Sequence, residues 1–502
     1  MKTLTEQYVS PFVFADSYKL AHWLQYPEGT TLVYSNLTPR TSRRTEQGIY
    51  KFVWFGLQAF LDDLKQTFDE FFAKPEDAAV DGFVAFYREF FGVEGCPISG
   101  HVAKLHRLGY LPLEFWSLPE GTAVGHGIPV MTVHNTHPEF HWLTGFIETW
   151  LSASVWHMST SATTAMYYRK NFEQAAMWSC PPEDNWFVDF QGHDFSMRGL
   201  PTISASERSG AGHLVAFKGT DTLPAVLFVK KHYGPVDGLI GTSVPATEHS
   251  VMSSGGQDSE LETYRHLITE VHPSGIVSIV SDTWDFWRVV TEYLPELKAE
   301  IMARDGKLVV RPDSSPKTPV EIICGDPEAP AGSPEQKGLA QCLWEVFGGT
   351  VNARGFKVID PHVGMIYGDS ITLGYQKAIL DGLMAKGFAS TNIVLGIGSY
   401  TYQMVTRDTH GIAIKCTYVE INGVPTPIFK DPKTDRSGKR SARGWLKVIG
   451  DEKVGYAVQQ FETRPESIED GAMKMVWRDG EFARRWTFEE VRKCASMHLH
   501  TL

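Results

Sequence analysis

The sequence predicts an α/β fold: an irregular α/β barrel of about seven parallel strands, with a second, mixed α+β domain built from the N- and C-terminal regions. Between residues 183 and 400, short apolar runs alternate with helical stretches, and each run ends in a loop of Gly, Asp, Ser or Arg. Strands that alternate with helices indicate parallel βα units, and a long series of them favours a barrel. The runs are 186–190, 213–217, 238–240, 276–280, 308–310, 363–367 and 392–395.

The domain boundaries follow from where this alternation begins and ends. We assign residues 183–400 to the barrel, and residues 1–182 and 401–502 to the N- and C-terminal parts of the α+β domain. A chain of 502 residues is expected to form about two or three domains.

Helices are predicted inside and outside the barrel from apolar residues at helical spacing. Residues 54–73 form an amphipathic pattern, and a second such pattern lies near residues 80–92. Within the barrel region, an apolar stripe after residue 370 predicts a helix for which Ser370 is available as the N-cap.

A β-hairpin is predicted around Asn422 and Gly423, because Asn-Gly is the commonest type I′ turn pair. A two-residue turn there sets Lys415 opposite Lys430. Like charges directly opposite on a sheet are unfavourable, so an anion between them is one explanation. The alternative is that the prolines of the second strand disturb the register.

The composition excludes several classes of protein. Lys and Arg number 47 against 59 Asp and Glu, a net charge of −12, which argues against a nucleic-acid-binding surface. The six cysteines form no Cys-x-x-Cys pair and predict reduced thiols. No uncharged apolar run approaches the ~20 residues that cross a bilayer, and the first residues lack the apolar core of a signal peptide. We therefore expect a cytoplasmic protein with no nucleic-acid or membrane partner.

Common nucleotide and metal signatures are absent from the sequence. It has no Gly-x-x-x-x-Gly-Lys-Ser/Thr loop and no His-Glu-x-x-His, and no set of metal ligands is assigned. The run GIGSYT (396–401) half-resembles a dinucleotide fingerprint but lacks its third glycine. Its glycines, Gly396 and Gly398, offer backbone N–H groups to a phosphate instead.

Charged residues that follow the predicted strands suit a sugar phosphate carrying a pyrophosphate. Arg198 and Arg311 lie just beyond strands, and a guanidinium fork binds pyrophosphate bidentately. Asp313 and Asp369 follow strands among small neighbours, as carboxylates that hold ribose hydroxyls or a metal often do. Each alone is more often a surface ion pair or a turn residue, but together at successive strand ends they favour a site.

Ten motifs, in order along the chain, resemble those of the nicotinamide phosphoribosyltransferases, which have the type II phosphoribosyltransferase fold. The resemblance runs from near residue 16 to near residue 441 and so covers most of the chain. The motifs are DSYKLAHWLQYPEGTTLVYSNLTPR (16–40), HDFSMRG (193–199), HLVAFKGTDT (213–222), SVPATEHS (243–250), SDTWD (281–285), RPDS (311–314), GDS (368–370), TRD (406–408), FKDP (429–432) and KRS (439–441).

The resemblance implies a reaction and its partners. The enzyme would transfer the 5-phosphoribosyl group of phosphoribosyl pyrophosphate (PRPP) to nicotinamide, giving nicotinamide mononucleotide and pyrophosphate in NAD salvage. Mg²⁺ would accompany PRPP and pyrophosphate, and ATP would be a co-substrate hydrolysed through a phosphohistidine. The protein would be an obligate homodimer with active sites at the subunit interface. The catalytic residues implied are His249, Arg311, Asp313 and Asp221.

The resemblance also implies roles around the pyridine ring. Phe195 and the partner subunit's Tyr18 would sandwich it, and such stacking contributes about 0.5–1.5 kcal/mol per aromatic pair beyond burial. Asp221 would accept a hydrogen bond from the carboxamide and repel nicotinate, since like charges about 4 Å apart cost up to ~4 kcal/mol at an effective dielectric near 20. Ser243 is a further substrate-binding residue.

The remaining implied residues hold phosphate groups. Arg198 and Arg311 would bind pyrophosphate, with Asp282 as a nearby acid. The ribose phosphate would be held by Asp313, Gly368 and Asp369, and further substrate contacts would come from Gly398 and Ser399. A cationic phosphate channel is made by Arg407, Arg40, Lys415, Lys430 and Lys439.

This chain departs from the family pattern at two places. Gly398-Ser399-Tyr400 stands where the family has a glycine triplet, and Ser196 and Met197 replace a Gly-Tyr pair before Arg198. Neither change touches Asp221 or His249.

Three other functions remain open at the level of sequence. A nicotinate phosphoribosyltransferase would share the fold and mechanism and would be distinguished by its substrate. A non-catalytic sensor or scaffold would bind the mononucleotide without turnover. An unrelated barrel enzyme acting on sugar phosphates, such as an isomerase or aldolase, would lack the N-terminal DSYK match.

Overall fold

The computed structural model describes residues 10–315, 318–430 and 442–502. The chain forms two compact units. Unit 1 comprises Met1–Thr163, Lys230–Val236 and Thr406–Leu502, and unit 2 comprises Thr164–Val229 and Asp237–Val405. The domain boundaries proposed from the sequence stay a prediction.

Helices and strands are labelled in chain order. The strands of the described residues are β1 Thr30–Pro39, β2 Lys51–Val53, β3 Leu113–Ser117, β4 Ala123–Gly125, β5 Met131–Asn135, β6 Gly192–Asp194, β7 Gly219–Thr220, β8 Ser274–Val280, β9 Asp305–Arg311, β10 Gly349–Val351, β11 Lys357–Ile359, β12 Val363–Tyr367, β13 Ile393–Ile397, β14 Ile412–Ile421, β15 Val424–Pro427, β16 Trp445–Asp451, β17 Gly455–Phe461, β18 Lys474–Arg478 and β19 Glu481–Phe482. The α-helices are α1 His22–Gln25, α2 Leu57–Phe72, α3 Glu76–Phe91, α4 Ser99–Leu108, α5 Leu143–Phe146, α6 Glu148–Ser179, α7 Val188–Gln191, α8 Ile203–Leu214, α9 Leu223–Tyr233, α10 His249–Ser253, α11 Glu260–His266, α12 Phe286–Arg288, α13 Leu294–Glu296, α14 Lys298–Ala303, α15 Pro319–Cys324, α16 Pro334–Phe347, α17 Leu373–Ala385, α18 Ser399–Gln403 and α19 Phe488–Met497.

Unit 2 contains a parallel sheet in which helices follow most strands. Its six strands lie in the order β7-β6-β13-β12-β9-β8, and every neighbouring pair is parallel. Two isolated parallel bridges join Thr242 to Gly219 of one edge strand and Ala246 to Ser278 of the other. The segment between residues 242 and 246 therefore touches both edges of the sheet. The mixed α/β class predicted from the sequence is confirmed.

The first three of the seven predicted strand positions are wrong. Residues 186–187 end a 3-10 helix and residues 188–190 lie in α7, residues 213–217 include the end of α8, and residues 238–240 form no strand. The first two runs are followed by the short strands β6 and β7, which consist of Gly, His, Asp and Thr, and of these Gly and Asp are depleted in strands. Val188, Phe190 and Leu214 of the first two runs belong to α7 and α8, which pack on the sheet, so these apolar residues indicated helices and not the strands.

The four later strands are predicted correctly to within a few residues. β8, β9, β12 and β13 are rich in Val, Ile and Leu, and many of their side chains are fully buried. Parallel strands covered on both faces are expected to be continuously apolar in this way.

Unit 1 is built on an antiparallel sheet with the strand order β15-β14-β1-β5-β3-β18-β19. The predicted hairpin joins β14 to β15 in the predicted register, with Ile421 opposite Val424 and Tyr418 opposite Pro427. Asn422 and Gly423 both have the positive φ that a type I′ turn needs. The paired residues end at Tyr418 and Pro427, so Lys430 lies beyond the strand.

The predicted helices at 54–73 and 80–92 are confirmed as α2 and α3, which begin and end within a few residues of the expected positions. The helix after residue 370 is α17, but its N-cap is Thr372, whose side chain accepts from the Tyr375 amide. Ser370 instead has a left-handed backbone with φ +53°, which a helical N-cap does not adopt. No helix within the described residues is both long enough and apolar enough to span a membrane.

Candidate active site

A cavity of about 1240 Å³ lies in unit 2, among the loops at the carboxyl ends of the parallel strands. Parallel strands present all their carboxyl ends at one edge, where barrel enzymes carry their sites. Residues far apart in sequence are therefore brought together here. The residues proposed from the sequence that line this cavity are Phe195, Arg198, Asp221, His249, Arg311, Asp313, Gly368, Asp369, Gly398 and Ser399.

Phe195, which follows β6, has its ring held between two glycines and a histidine. A Cβ added at Gly396 would lie 2.4 Å from the Phe195 ring, and one added at Gly368 would lie 3.2 Å from it. The His193 ring packs against the Phe195 ring, and the two ring centroids lie 4.7 Å apart. Gly396 belongs to β13, beside His193, so close packing accounts for glycine at this position.

Asp221, which follows β7, carries a carboxylate that is held on one oxygen. His193 Nε2 lies 2.9 Å from Asp221 Oδ1, and Ser243 Oγ donates to the same oxygen. Burial raises the pKa of Asp221, but these two hydrogen bonds and the nearby charges of His193 and Arg311 outweigh it and hold the pKa below its ordinary value. Asp221 is therefore ionised at neutral pH.

Arg311 lies beside Asp313 on another part of the cavity wall, and the charges of Asp282 and Asp369 act on Asp313 there. Arg311 Nη2 donates to the Thr247 carbonyl, and its Nε lies 3.9 Å from Asp313 Oδ2. Asp282 is buried, and one of its oxygens accepts from the Asp313 amide at 3.0 Å. Burial raises the pKa of Asp313, and the charges of Asp282 and Asp369 raise it further, against the opposing effect of Arg311 and His249.

A divalent cation fits this group of carboxylates. Asp282 Oδ1 is buried and has no hydrogen-bond partner among the described residues, and a buried polar atom of that kind normally has one. The described residues contain no cluster of three potential metal ligands. Mg²⁺ is usually held by one or two carboxylates together with substrate phosphates, so a complete protein cage is not needed.

His249 begins α10 on the cavity wall, and its side chain is 53% exposed. Its Nδ1 lies 3.1 Å from Thr283 Oγ1, and its Nε2 lies 4.0 Å from Asp282 Oδ1. The imidazole is thus oriented by a hydroxyl on one side and faces a carboxylate on the other.

Arg198 is exposed on the turn after β6 and makes no ion pair with any described residue. Its guanidinium is therefore available to an anion. The residues that depart from the family pattern, Ser196, Met197 and Ser399, contact residues beside Arg198 or line the same cavity. Ser196 is buried and donates from both its amide and its hydroxyl to Asp194 Oδ1, whereas Met197 lines the cavity. The Ser399 side chain packs on Gly199, where an added Cβ would lie 2.1 Å from its Oγ.

Tyr18 and the described cations of the proposed phosphate channel belong to unit 1. Tyr18 lies in a short 3-10 turn and is 60% exposed. Arg40 Nε donates to the Gly411 carbonyl at 3.0 Å. Burial lowers the pKa of Lys415, and the charges of Arg40 and Arg407 lower it further, so these three cations lie near one another. Lys430 is exposed, and Lys439 lies outside the described residues.

Known families match this chain over most of its length. A family model described as the nicotinate phosphoribosyltransferase (NAPRTase) family matches residues 190–465, which is more than half of the chain and contains the whole parallel sheet of unit 2. This chain belongs to that family. A second model, the N-terminal domain of nicotinamide phosphoribosyltransferase, matches residues 11–91. The resemblance drawn from the ten motifs is confirmed, and the chain is an enzyme of the pentosyltransferase class.

A relative and two solved structures agree with this membership. A protein of Acinetobacter baylyi named nicotinamide phosphoribosyltransferase is 46% identical over 508 residues, which cover 98% of this chain and 98% of the relative. The crystal structure of nicotinate-nucleotide pyrophosphorylase from Pyrococcus furiosus has a TM-score of 0.58 at 14% identity, covering 100% of this chain and 98% of that one. The human nicotinic acid phosphoribosyltransferase structure has a TM-score of 0.54 at 15% identity, covering 97% and 94%. At these identities the two structures indicate a shared fold.

Two residues at the site of this family member were not singled out from the sequence. His193 touches both Phe195 and Asp221, and Thr283 orients His249. Both stand inside quoted motifs, HDFSMRG and SDTWD, but nothing local marks them. The only available signal was that His193 pairs with Gly219 across β6 and β7, and that register is visible only in the folded sheet.

Proposed function

We propose that this enzyme transfers the 5-phosphoribosyl group of PRPP to nicotinamide, giving nicotinamide mononucleotide and pyrophosphate. The observation that carries the proposal is the pair formed by Phe195 and Asp221 on one cavity wall, linked by His193. A flat aromatic ring beside an ionised acceptor suits a pyridine that carries a carboxamide, because the ring stacks and the amide N–H donates. The relative named nicotinamide phosphoribosyltransferase, which is matched over 98% of its length, supports the same substrate.

The chemistry follows from the charges on the wall. The pyridine nitrogen of nicotinamide is unprotonated and nucleophilic, so it attacks ribose C1 without a general base. The C1–oxygen bond breaks, and pyrophosphate leaves with the electron pair. Arg198 and Arg311 stabilise the charge on that leaving group, and Asp313 and Asp369 orient the ribose. Mg²⁺ bound with PRPP would neutralise the same developing charge, next to Asp282 and Asp313.

ATP stimulation through His249 is a further part of the proposal. An imidazole nitrogen would attack the γ-phosphorus of ATP and release ADP, and water would later hydrolyse the phosphohistidine. The position of His249 on the cavity wall, oriented by Thr283, supports this role.

We also propose a homodimer whose active sites lie at the subunit interface. Two apolar residues of the cavity wall, Ile203 and Tyr400, are 57% and 63% exposed, as expected of surface that a second copy covers. The partner subunit's Tyr18 would then reach the pyridine ring, and Arg40, Arg407, Lys415, Lys430 and Lys439 would bind phosphates. Mixing Asp221→Ala and Tyr18→Ala subunits should restore activity at one site in the heterodimer.

Two finer features complete the proposal. The segment at residues 242–246 acts as the seventh strand and closes the barrel, which its bridges to both edge strands support. The enzyme works in the cytoplasm, where thiols stay reduced, and the six cysteines, all free, suit that compartment.

The test is mononucleotide formation by the purified protein. PRPP and Mg²⁺ are supplied with either nicotinamide or nicotinate, each with and without ATP. We expect product from nicotinamide, more of it with ATP, and little from nicotinate. Product mainly from nicotinate would keep the family but reject the proposed substrate. Tight mononucleotide binding without turnover would reject catalysis.

A further inference from the structure

We infer that His193 is a specificity-determining positioning residue: it holds the Asp221 carboxylate so that one oxygen faces the cavity only as an acceptor. This rests on the proposed function, because it explains how an enzyme for nicotinamide rejects nicotinate. His193 does not touch the reacting atoms and acts through Asp221.

The hydrogen bonds to the Asp221 carboxylate all converge on one oxygen. His193 Nε2 and Ser243 Oγ both reach Oδ1, and within the part of the chain that the structure describes no group donates to Oδ2. Since an ionised carboxylate can only accept, Nε2 of His193 carries the proton. The Asp221 side chain is 47% exposed and lines the cavity, so the open oxygen is the one available to a substrate.

The His193 ring is itself held in place by its close contact with Gly219. His193 is only 9% exposed, and a Cβ added at Gly219 would lie 2.8 Å from its Nδ1. Gly219 is tied down in turn, because its carbonyl accepts from His213 Nε2 at 3.0 Å. Burial holds the pKa of His213 well below its ordinary value, so it is neutral, and its Nδ1 accepts from the Tyr402 hydroxyl at 2.7 Å. These hydrogen bonds fix the position of Gly219 beside the His193 ring.

This arrangement distinguishes an amide from an acid. A carboxamide N–H donates to Oδ2, whereas the carboxylate of nicotinate places negative charge against negative charge. A carboxylate without its two donors would be free to rotate or to take up a proton, and a protonated oxygen could donate to nicotinate. Two donors on Oδ1 prevent both changes.

The decisive measurement is the ratio of kcat/KM for nicotinamide to kcat/KM for nicotinate. We expect His193→Leu to lower this ratio at least about tenfold, mainly through a higher KM for nicotinamide, because a hydrogen bond to a charged group is lost. We expect His193→Gln to stay within about threefold of the wild type, since its side-chain amide can donate from nearly the same place as Nε2. His266→Leu is the matched control, because His266 is exposed on α11 and pairs with Glu270.

Each alternative gives a different result. A merely structural role would lower both kcat/KM values together, leave the ratio unchanged and give Gln no advantage over Leu; that outcome overturns the inference. If His193→Leu fails to fold, Ser243→Ala removes the other hydrogen-bond donor to Asp221. We expect this variant to lower the ratio severalfold. An unchanged ratio in Ser243→Ala would equally overturn the inference.

Failure of the inference is separable from failure of the proposed function. Asp221→Ser should collapse the ratio, and His193→Leu should then add nothing in that background, because the two residues act as one unit. An unchanged ratio in Asp221→Ser rejects the selectivity proposed for Asp221 itself. A collapsed ratio in Asp221→Ser with no change in His193→Leu rejects the role of His193 alone.

Discussion

His249 Nε2 lies 4.0 Å from Asp282 Oδ1, a buried oxygen that no described hydrogen-bond donor reaches. The same Asp282 side chain accepts from the Asp313 amide through its other oxygen. One carboxylate therefore connects the histidine proposed to take up phosphate with the acid proposed to orient the ribose. This connection offers a physical route by which the state of His249 can influence the PRPP side of the cavity.

We expect His249→Ala to abolish the stimulation by ATP while basal mononucleotide synthesis survives. The substitution removes the imidazole but leaves Phe195, Asp221 and Arg311 in place. Initial rates with and without ATP measure the effect, and acid-labile labelling from γ-labelled ATP reports the phosphohistidine. His266→Ala serves as the control, and full ATP coupling in His249→Ala would falsify the proposed role.

We expect Arg311→Ala to lower kcat/KM by at least about 10²-fold, as the loss of a preorganised charge contact does. Steady-state kinetics with PRPP as the varied substrate measures it. Thermal unfolding must accompany the kinetics, because Arg311 also donates to the Thr247 carbonyl. Arg288→Ala is the control, since Arg288 pairs with Glu292 at the surface. Unchanged kcat/KM in a folded Arg311→Ala would remove this residue from the mechanism.

We expect Asp282→Asn to shift the acidic limb of the pH dependence of kcat/KM to lower pH. Burial raises the pKa of Asp313, and the negative charge of Asp282 raises it further. Removing that charge lowers the pKa of Asp313, so its carboxylate stays ionised to lower pH. The variant keeps an acceptor for the Asp313 amide. Asp381→Asn, on the exposed face of α17, is the control. A limb that stays in place or moves upward contradicts the assignment of this limb to Asp313.

We expect Gly396→Ala to raise the KM for nicotinamide at least about tenfold and to destabilise the fold by about 1–3 kcal/mol, as overpacking does. Its Cβ would meet the Phe195 ring at 2.4 Å and the Gly368 Cα at 2.7 Å. Gly82→Ala is the control, because Gly82 lies in α3 with nothing near its added Cβ. That substitution should be neutral or stabilise by up to about 1 kcal/mol. Equal effects of the two variants would show that the Phe195 ring is not held in this way.

Local sequence was sufficient where one residue pair or one apolar run determines the structure. Asn422 and Gly423 predicted both the turn and the register of β14 and β15, because few residues adopt two consecutive positive φ angles. The Val- and Ile-rich runs predicted β8, β9, β12 and β13. Local sequence was not sufficient to predict β6 and β7. These strands are only two or three residues long and owe their conformation to the strands beside them.

In the candidate site too, the sequence predicted some features and the fold determined others. Residues at strand ends, such as Arg198, Arg311 and Asp369, were identifiable because their types suit phosphate and ribose, and Asp221 was identifiable because its motif matches a family. Their meeting at one cavity follows from parallel strands that end at one edge.

By itself the sequence determined the α/β class, the family and the chemical identity of the residues around the cavity. Only the tertiary structure decided which atoms of those residues form hydrogen bonds with one another. His193 and Asp221 are separated by 28 positions in the chain, and their hydrogen bond exists because β6 and β7 are adjacent and parallel. A hydrogen bond depends on the distance and direction between two atoms, and for residues so far apart in the chain those quantities are set by the packed sheet.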